Sequence, residues 1–221
     1  MCADMKSAFD FAKYFIKNGF NKCTYDGNMK LQKLLTFAFL IHLANTGKQL
    51  YNEDILAYRN GCVIEPVRLR YKNEYESFLK ESNDFNPNFD ANENYTLDIT
   101  KSIFGDVSPR ELSKINHTFD FWKNAYERSD KGDNIFRDKS KVKISMESIK
   151  NELPRINKMV EAYKQNETNK KNSDQINGIN FHFDSSIDIT DELIDFLEKF
   201  SITAEDTDYT VYKNDGDLVI Y

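Results

Sequence analysis

Cysteine is scarce in this chain of 221 residues, and its three copies follow no pattern of a structural site. Cys2, Cys23 and Cys62 are odd in number and widely spaced, without a CxxC pair. That distribution argues against a secreted disulfide framework and against a structural zinc site. A reducing compartment fits it, so we expect a cytoplasmic protein.

Long hydrophobic runs are missing as well. The most apolar stretch, residues 34–44, contains Thr36 and His42 and is too short to span a bilayer. Residues 1–11 lack the basic and then apolar layout of a signal peptide. We therefore expect no membrane segment.

Catalytic motifs are also lacking, since there is no Walker lysine loop, GxGxxG, GxSxG or HExxH. The three histidines are scattered at His42, His117 and His182. We expect His42 to be a hydrogen-bonded residue of a buried helix and His182 to face solvent. Cys23 and Cys62 are expected to be small packed residues rather than nucleophiles. No cofactor or metal is predicted, and an enzyme is the least favoured function class.

Aromatic residues and charge are what the sequence has in quantity. Its 17 phenylalanines and 12 tyrosines supply enough apolar surface for a large core. Residues 178–221 hold eleven acidic residues against two lysines, a charge of −9, which leaves +3 for the rest of the chain. This asymmetry indicates a mildly basic body followed by an acidic C-terminal part.

Hydrophobic periodicity predicts helices over most of residues 1–163. Apolar residues at helical spacing define a first helix at 8–16, and residues 28–46, apolar on all sides, predict a central buried helix. The segment Ser108-Pro109-Arg110-Glu111 has the composition of a capping box and begins another helix. Further helices are predicted at 53–58, at 66–80 and after 145, with a loop at 82–94.

The C-terminal part shows a different pattern. Residues 164–177 are polar except for Ile176 and are predicted to be an exposed linker. Beyond them a strand at 179–183, a short acidic helix capped by Thr190 and a β-hairpin around Asn214-Asp215-Gly216-Asp217 are predicted. The predicted fold is therefore mainly α, with a helical domain at 1–163, the polar linker at 164–177, and a small α+β unit (strand, helix, β-hairpin) at 178–221.

Two separated segments resemble the signature of a known family. The first consists of Leu31-Gln32-Lys33-Leu34-Leu35, then Gly47-Lys48-Gln49-Leu50-Tyr51, then Ile55-Leu56-Ala57-Tyr58-Arg59-Asn60-Gly61. The second is Leu112-Ser113-Lys114-Ile115-Asn116-His117, with Trp122 five residues later. In order and spacing these segments resemble the Panacea antitoxins, also called SocA-like or GepA-like, over residues 8–163.

The chain departs from that family at one turn. Where the family has Gly-Pro-Val-Val/Ile-Pro, this sequence has Gly61-Cys62-Val63-Ile64-Glu65-Pro66, so Cys62 replaces one proline and Pro66 is displaced by one residue. The stretch 98–108 is also shorter than the family's helix there. The acidic C-terminal unit lies outside the shared domain.

The resemblance implies a mainly helical bacterial or phage protein with an antitoxin role, in which the domain neutralises a cognate toxin by direct protein–protein binding. Some relatives are thought to deliver the toxin to a protease, so a protease or chaperone is a further partner to consider. Because the family's toxins are chemically diverse, the resemblance names neither the toxin nor the oligomeric state.

Two sets of residues are the candidates for partner binding. Trp122 is expected to lie in the core. His117 is expected to brace the turn near Gly61, and contact with a partner is the alternative. Residues expected to brace the turn near Gly61 through hydrogen bonds to backbone carbonyls are Lys30, Gln32, Lys33 and His117. Residues expected either to match a basic toxin surface or to be merely solvated are Asp191, Glu192, Asp195 and Glu198.

Two further functions stay open. The acidic unit would imitate nucleic-acid charge in a phage anti-defence protein that inhibits a host nucleic-acid-binding protein. A DNA-binding autoregulator is less favoured, because the total charge is negative and no helix-turn-helix is recognisable. The basic residues that motivate it are Arg68, Arg70, Lys72, Arg137, Lys139, Lys141 and Lys143.

Overall fold

The computed structural model describes residues 6–129, 142–184, 187–214 and 217–221. The chain divides into two compact units, Met1–Val160 and Glu161–Tyr221. The first is predominantly helical, and the second contains a four-stranded sheet, so the prediction of a mainly α chain with a C-terminal α+β unit is confirmed. Within the described ranges, no helix is both long enough and apolar enough to cross a membrane.

The first unit combines helices with one short hairpin. In chain order its elements are α1 Ala8–Lys17, α2 Tyr25–Thr46, β1 Leu56–Tyr58, β2 Gly61–Val63, α3 Glu65–Asn73, α4 Tyr75–Asn83, α5 Ala91–Phe104, α6 Pro109–His117, α7 Asp120–Arg128 and α8 Met146–Lys150, and α9 Leu153–Lys171 begins in it.

Helix α2 lies at the centre of this unit's core, as its all-round apolar sequence predicts. Thr24 caps its first turn by accepting a hydrogen bond from the Gly27 N–H at 3.0 Å. Phe37 on α2 stacks on Phe104 of α5, with ring centroids 3.9 Å apart. The predicted apolar face of α1 is buried along its whole length. The side chains of α1 and α2 therefore supply much of the hydrophobic stabilisation of the unit.

Three of the elements predicted in this unit differ from the structure. Residues 53–58 do not form a helix, because Leu56–Tyr58 pairs as a strand with Gly61–Val63. The helix predicted at 66–80 is two helices, α3 and α4, since Glu74 between them leaves the helical region at φ −134° and ψ 37°. The loop predicted at 82–94 ends early, because Asp90 forms a capping box with Glu93 and starts α5.

The second unit has the strand order β3-β4-β5-β6, with β3 Ser173–Ile176, β4 Ile179–Phe183, α10 Asp191–Ser201, β5 Asp208–Asn214 and β6 Asp217–Ile220. β4 and β5 are parallel, and α10 forms the connection that parallel strands require. The predicted strand at 179–183, the Thr190 cap and the pairing of the last two strands are all found. The predicted turn residues Asp215 and Gly216 lie outside the described residues.

The prediction of an exposed linker at 164–177 is wrong. Helix α9 continues to Lys171, and the polar residues Ser173–Ile176 form β3, which pairs antiparallel with β4. A two-residue turn at Asn177 and Gly178 joins the strands, with φ values of 52° and 85°. Polar residues suit the edge strand because backbone hydrogen bonds to β4 hold it, with Ile176 as the buried side chain of β3. The second unit therefore begins at Glu161, earlier than the predicted 178.

Candidate functional site

The short hairpin formed by β1 and β2, residues 56–63, is the centre of the candidate site. Gly61, the first residue of β2 after the turn, has φ +97°, a conformation that favours glycine. A Cβ atom at this position would lie 2.7 Å from the Lys33 ammonium nitrogen and 3.0 Å from the Asn116 Cβ. Glycine is therefore required at position 61 for two reasons: the positive φ angle and the close approach of two side chains.

Helix α2 fixes the hairpin with two buried polar side chains. Lys33 donates from Nζ to the Cys62 carbonyl oxygen at 3.0 Å, which is the bracing contact expected from the sequence. Gln32 braces the same strand with the opposite polarity, because its Oε1 accepts from the Ile64 N–H at 2.8 Å. Both side chains are at most 2% exposed. A buried donor or acceptor is costly to leave without a partner, so these hydrogen bonds hold the strand in one position.

Lys30 does not brace the hairpin, contrary to expectation. Its ammonium nitrogen donates to the carbonyl oxygens of Phe104, at 2.7 Å, and of Val107. Lys30 lies three residues before Lys33 on α2 and so reaches the connection between α5 and α6 instead. It stabilises the C-terminal end of α5, where free carbonyls attract a cation.

Helix α6 adds two contacts that the sequence reasoning did not assign. Asn116 is fully buried, and its Oδ1 accepts from the Cys62 N–H at 2.9 Å. Ser113 donates from Oγ to the Asn60 carbonyl oxygen at 2.8 Å. The signal was present, because residues 113, 116 and 117 lie on one helical face and are all polar.

Helix α7 contributes the tryptophan of the second signature. Trp122 is 8% exposed, as expected for core, and its Nε1 also donates to the Tyr58 carbonyl oxygen at 2.9 Å. The His117 ring stacks on the Trp122 indole with centroids 3.9 Å apart. Burial and the nearby Lys33 lower the pKa of His117, and a hydrogen bond to the Arg59 backbone acts in the opposite direction. His117 is therefore held in place as a neutral bracing ring against the hairpin.

The outer edge of the hairpin is covered as well. The Ala57 N–H donates to the Val142 carbonyl oxygen at 2.8 Å, and the Ile144 N–H donates to the Ile55 carbonyl oxygen at 3.0 Å. Side chains from α2 and α6 bind β2 and the residues beside it, Trp122 of α7 binds β1, and this segment pairs with the outer edge of β1. A hairpin of this length is at best marginally stable by itself, so these contacts determine its position.

Burial changes the electrostatics at the hairpin. It lowers the pKa of the Lys33 ammonium to about 8, and it raises the pKa of the Cys62 thiol to about 12. Cys62 is therefore a buried, protonated thiol, as expected for a packed cysteine. Burial and a hydrogen bond to Glu65 raise the pKa of Tyr58 to about 12.

A cavity of about 500 Å³ opens beside the hairpin. Lys33 and Gln32 form part of its wall, and the turn residues Arg59 and Asn60 lie along it. Cys23, which was expected to be packed, is exposed and also lines this cavity. The volume lies in the range of small-molecule sites in proteins.

Among the remaining candidate residues, Lys72 lines the cavity, the acidic residues belong to the second unit, and several basic residues are already paired. Asp191, Glu192, Asp195 and Glu198 are exposed on α10 of the second unit. Arg68 forms an ion pair with Glu65, Arg70 with Glu81 and Lys143 with Asp54. Arg137, Lys139 and Lys141 fall outside the described ranges.

The other two histidines are placed as the sequence predicts. His42 is 6% exposed, and its Nδ1 lies 3.1 Å from the Thr96 hydroxyl. His182 is exposed on β4, with Nε2 3.6 Å from Asp208. In the part of the chain that the structure describes, no three His, Cys, Asp or Glu side chains group in a way that could hold a metal ion.

The hairpin, its bracing side chains and the cavity together form a fixed surface with a recess beside it. Comparisons of this chain with protein-family models, with curated proteins and with solved structures find no match.

Proposed function

We propose that this chain is an antitoxin that neutralises a cognate toxin by direct protein–protein binding, with the hairpin and the adjoining cavity as its contact surface. The observation that carries the proposal is the convergence of polar side chains from α2, α6 and α7 on one short hairpin. Fixing a surface loop in advance lowers the entropy cost of binding a partner. The arrangement suits recognition better than turnover, because Gln32, Lys33 and Trp122 each use a polar side-chain group to hold the hairpin backbone.

The residues that make these contacts are the ones on which the resemblance to the Panacea antitoxins rests. Gln32 and Lys33 belong to the first signature, and Ser113, His117 and Trp122 belong to the second. Their meeting at the Gly61 turn gives the two motifs a common structural purpose. That shared purpose supports the antitoxin assignment over an unrelated helical protein.

The acidic helix α10 is proposed to steer the toxin. Asp195 and Glu198 are exposed, so they add to the negative field of the second unit. Such a field speeds association with a basic surface and weakens with salt. Asp191 and Glu192 lie in the first helical turn, where they also interact favourably with the helix dipole. For Asp191 and Glu192, stabilising α10 is therefore the alternative to recognising the toxin.

Co-expression tests the proposal. The product of the gene adjacent to this one is induced alone and together with the full chain in a bacterial host. We expect growth arrest from the neighbour alone, rescue by this chain, and co-purification of the two proteins. A neighbour that is harmless, or toxic but neither rescued nor bound, would contradict the proposal.

Two matched charge reversals locate the contact surface. Arg59 is exposed in the hairpin turn. Lys150, the control, is exposed at the end of α8 and does not line the cavity. We expect Arg59→Glu to abolish rescue and Lys150→Glu to retain it, with both variants folded by circular dichroism. Equal rescue by both variants would place the contact surface elsewhere.

A further inference from the structure

The cavity beside the hairpin is lined by positive charge. Four cationic side chains contribute to its wall, and none of the lining residues is an aspartate or glutamate. The four are Lys33, Arg59, Arg68 and Lys72. The chain as a whole carries a net charge of −6, so the sign of the charge at this cavity is opposite to that of the whole chain.

One of these cations is already neutralised. Arg68 forms a two-pronged contact with Glu65, with nitrogen–oxygen distances of 3.1 and 3.0 Å. Arg59, Lys33 and Lys72 form no ion pair with any residue in the described ranges. Arg59 and Lys72 are exposed, whereas Lys33 is 1% exposed and has the Cys62 carbonyl oxygen as its hydrogen-bond acceptor. A buried ammonium without a carboxylate is costly, and an anion nearby would offset that cost.

The other walls of the cavity are aromatic and apolar. Tyr25, Tyr58 and Tyr71 line it together with Met29 and Val63. The Tyr25 side chain is an exposed aromatic at 70%, and its hydroxyl accepts a hydrogen bond from Asn60. Rings of this kind offer flat faces to a planar or apolar group.

We propose that the cavity is a binding site for a small anionic ligand in which a carboxylate or phosphate group is joined to a planar or apolar body. Arg59 and Lys72 hold the anionic group at the opening, and Lys33 adds positive potential from the wall. Guanidinium groups match the two oxygens of a carboxylate or phosphate. The tyrosines contact the body of the ligand. The cavity also belongs to the proposed toxin contact surface, but binding of a small anion is measured without a toxin, so the two proposals can fail separately.

Calorimetric titration of the full chain tests the site with three probes of similar size. Phenyl phosphate and benzoate carry the two candidate anionic groups, and benzamide is the neutral control for benzoate. We expect at least one anion to bind saturably with a Kd of about 1 mM or tighter, and benzamide to bind at least about tenfold more weakly. The anion that binds more tightly identifies the group as phosphate or carboxylate. Absence of saturable binding by both anions at about 10 mM would overturn the proposal.

Exposed variants locate the binding and avoid the risk of misfolding. Arg59→Ala and Lys72→Ala change exposed side chains that do not brace the hairpin, and Lys150→Ala removes an exposed lysine outside the cavity lining. We expect each cavity variant to weaken the preferred anion about tenfold, and Lys150→Ala to leave its Kd unchanged. Equal weakening by all three, or by none, would show that the anion binds elsewhere and would overturn the assignment.

Discussion

The two units of this chain bury very different amounts of apolar surface. The first has a core organised around α2, with buried side chains from every one of its helices up to α9. Among its described residues, the second buries six apolar ones: Ile176, Ile179, Phe181, Phe183, Leu197 and Val211. The large core of the first unit supplies enough stability to offset the cost of buried polar groups such as Lys33 and Asn116. The small core of the second unit does not supply that much stability. The site that needs rigidity is accordingly found in the first unit.

The largest expected effect is on the small core. Phe181 is fully buried and lies against Phe200 and Tyr209, so Phe181→Ala should cost about 3–5 kcal/mol. For a unit of roughly 60 residues that loss is comparable with its whole stability. We expect hydrogen exchange to show the second unit unfolded and the first intact. Ile202→Ala, at a side chain 81% exposed, should change little. Simultaneous loss of both units would remove the contrast between them.

A smaller effect is expected at the hairpin turn. Gly61→Ala brings a Cβ against Lys33 and Asn116 in addition to the unfavourable φ, and we expect it to destabilise the first unit by about 3 kcal/mol. Gly47→Ala is the matched control, because its φ is +71° but nothing lies within 4 Å of the added atom. It should cost about 1–2 kcal/mol in chemical denaturation. Equal losses would mean that the bracing side chains do not press on the turn.

The buried ammonium predicts a pH dependence of stability. Because the pKa of Lys33 falls from 10.5 to about 8 on folding, the unfolded chain binds more protons between these values. The free energy of unfolding should therefore rise with pH from about 8 upward, by about 1 kcal/mol per pH unit from this group. Burial of Cys62 opposes the rise above its ordinary pKa of 9.0, so the comparison is made between pH 7.5 and 9.

The variant Lys33→Met isolates that contribution. It removes the charge and keeps most of the side chain, so its stability should rise less steeply with pH than that of the original protein. Lys150→Met, at an exposed position, should leave the slope unchanged. An unaltered slope in Lys33→Met would mean that Lys33 is not held in a low-polarity environment.

The smallest expected effect concerns the acidic helix. Asp195→Asn with Glu198→Gln changes two exposed carboxylates, so thermal unfolding should shift by about 0.5 kcal/mol or less. If α10 steers a basic toxin, the same double variant should slow association and reduce its salt dependence. A large loss of stability would instead identify these residues as structural.

Much of the helical architecture could be predicted from the sequence, because its signals are local. The apolar face of α1, the all-round burial of α2 and the capping box at Ser108 follow from spacing and capping chemistry alone. The errors arose where tertiary pairing decides. Residues 56–58 become a strand because 61–63 and 142–144 lie beside them, and β3 forms because β4 offers it backbone partners.

The site was predictable only in part for the same reason. A lysine and a glutamine on a buried helix need polar partners, so bracing by Lys33 and Gln32 could be expected. Which backbone each would reach could not, and Lys30 binds a different loop. The sequence places Asn116 on a polar helical face with Ser113 and His117, but it does not show that this face is buried against the hairpin. The cavity depends on how α2, α3 and the hairpin meet, which no local pattern encodes.

The most direct test of the account is hydrogen exchange at two backbone amides of the hairpin. The N–H groups of Cys62 and Ile64 donate to Asn116 and Gln32, so they should be protected at least about 100-fold, close to the most stable amides of α2. Exchange within about tenfold of an unstructured peptide would show a mobile hairpin. In that case the side chains from three helices would not fix the surface, and the proposed basis of recognition would fail.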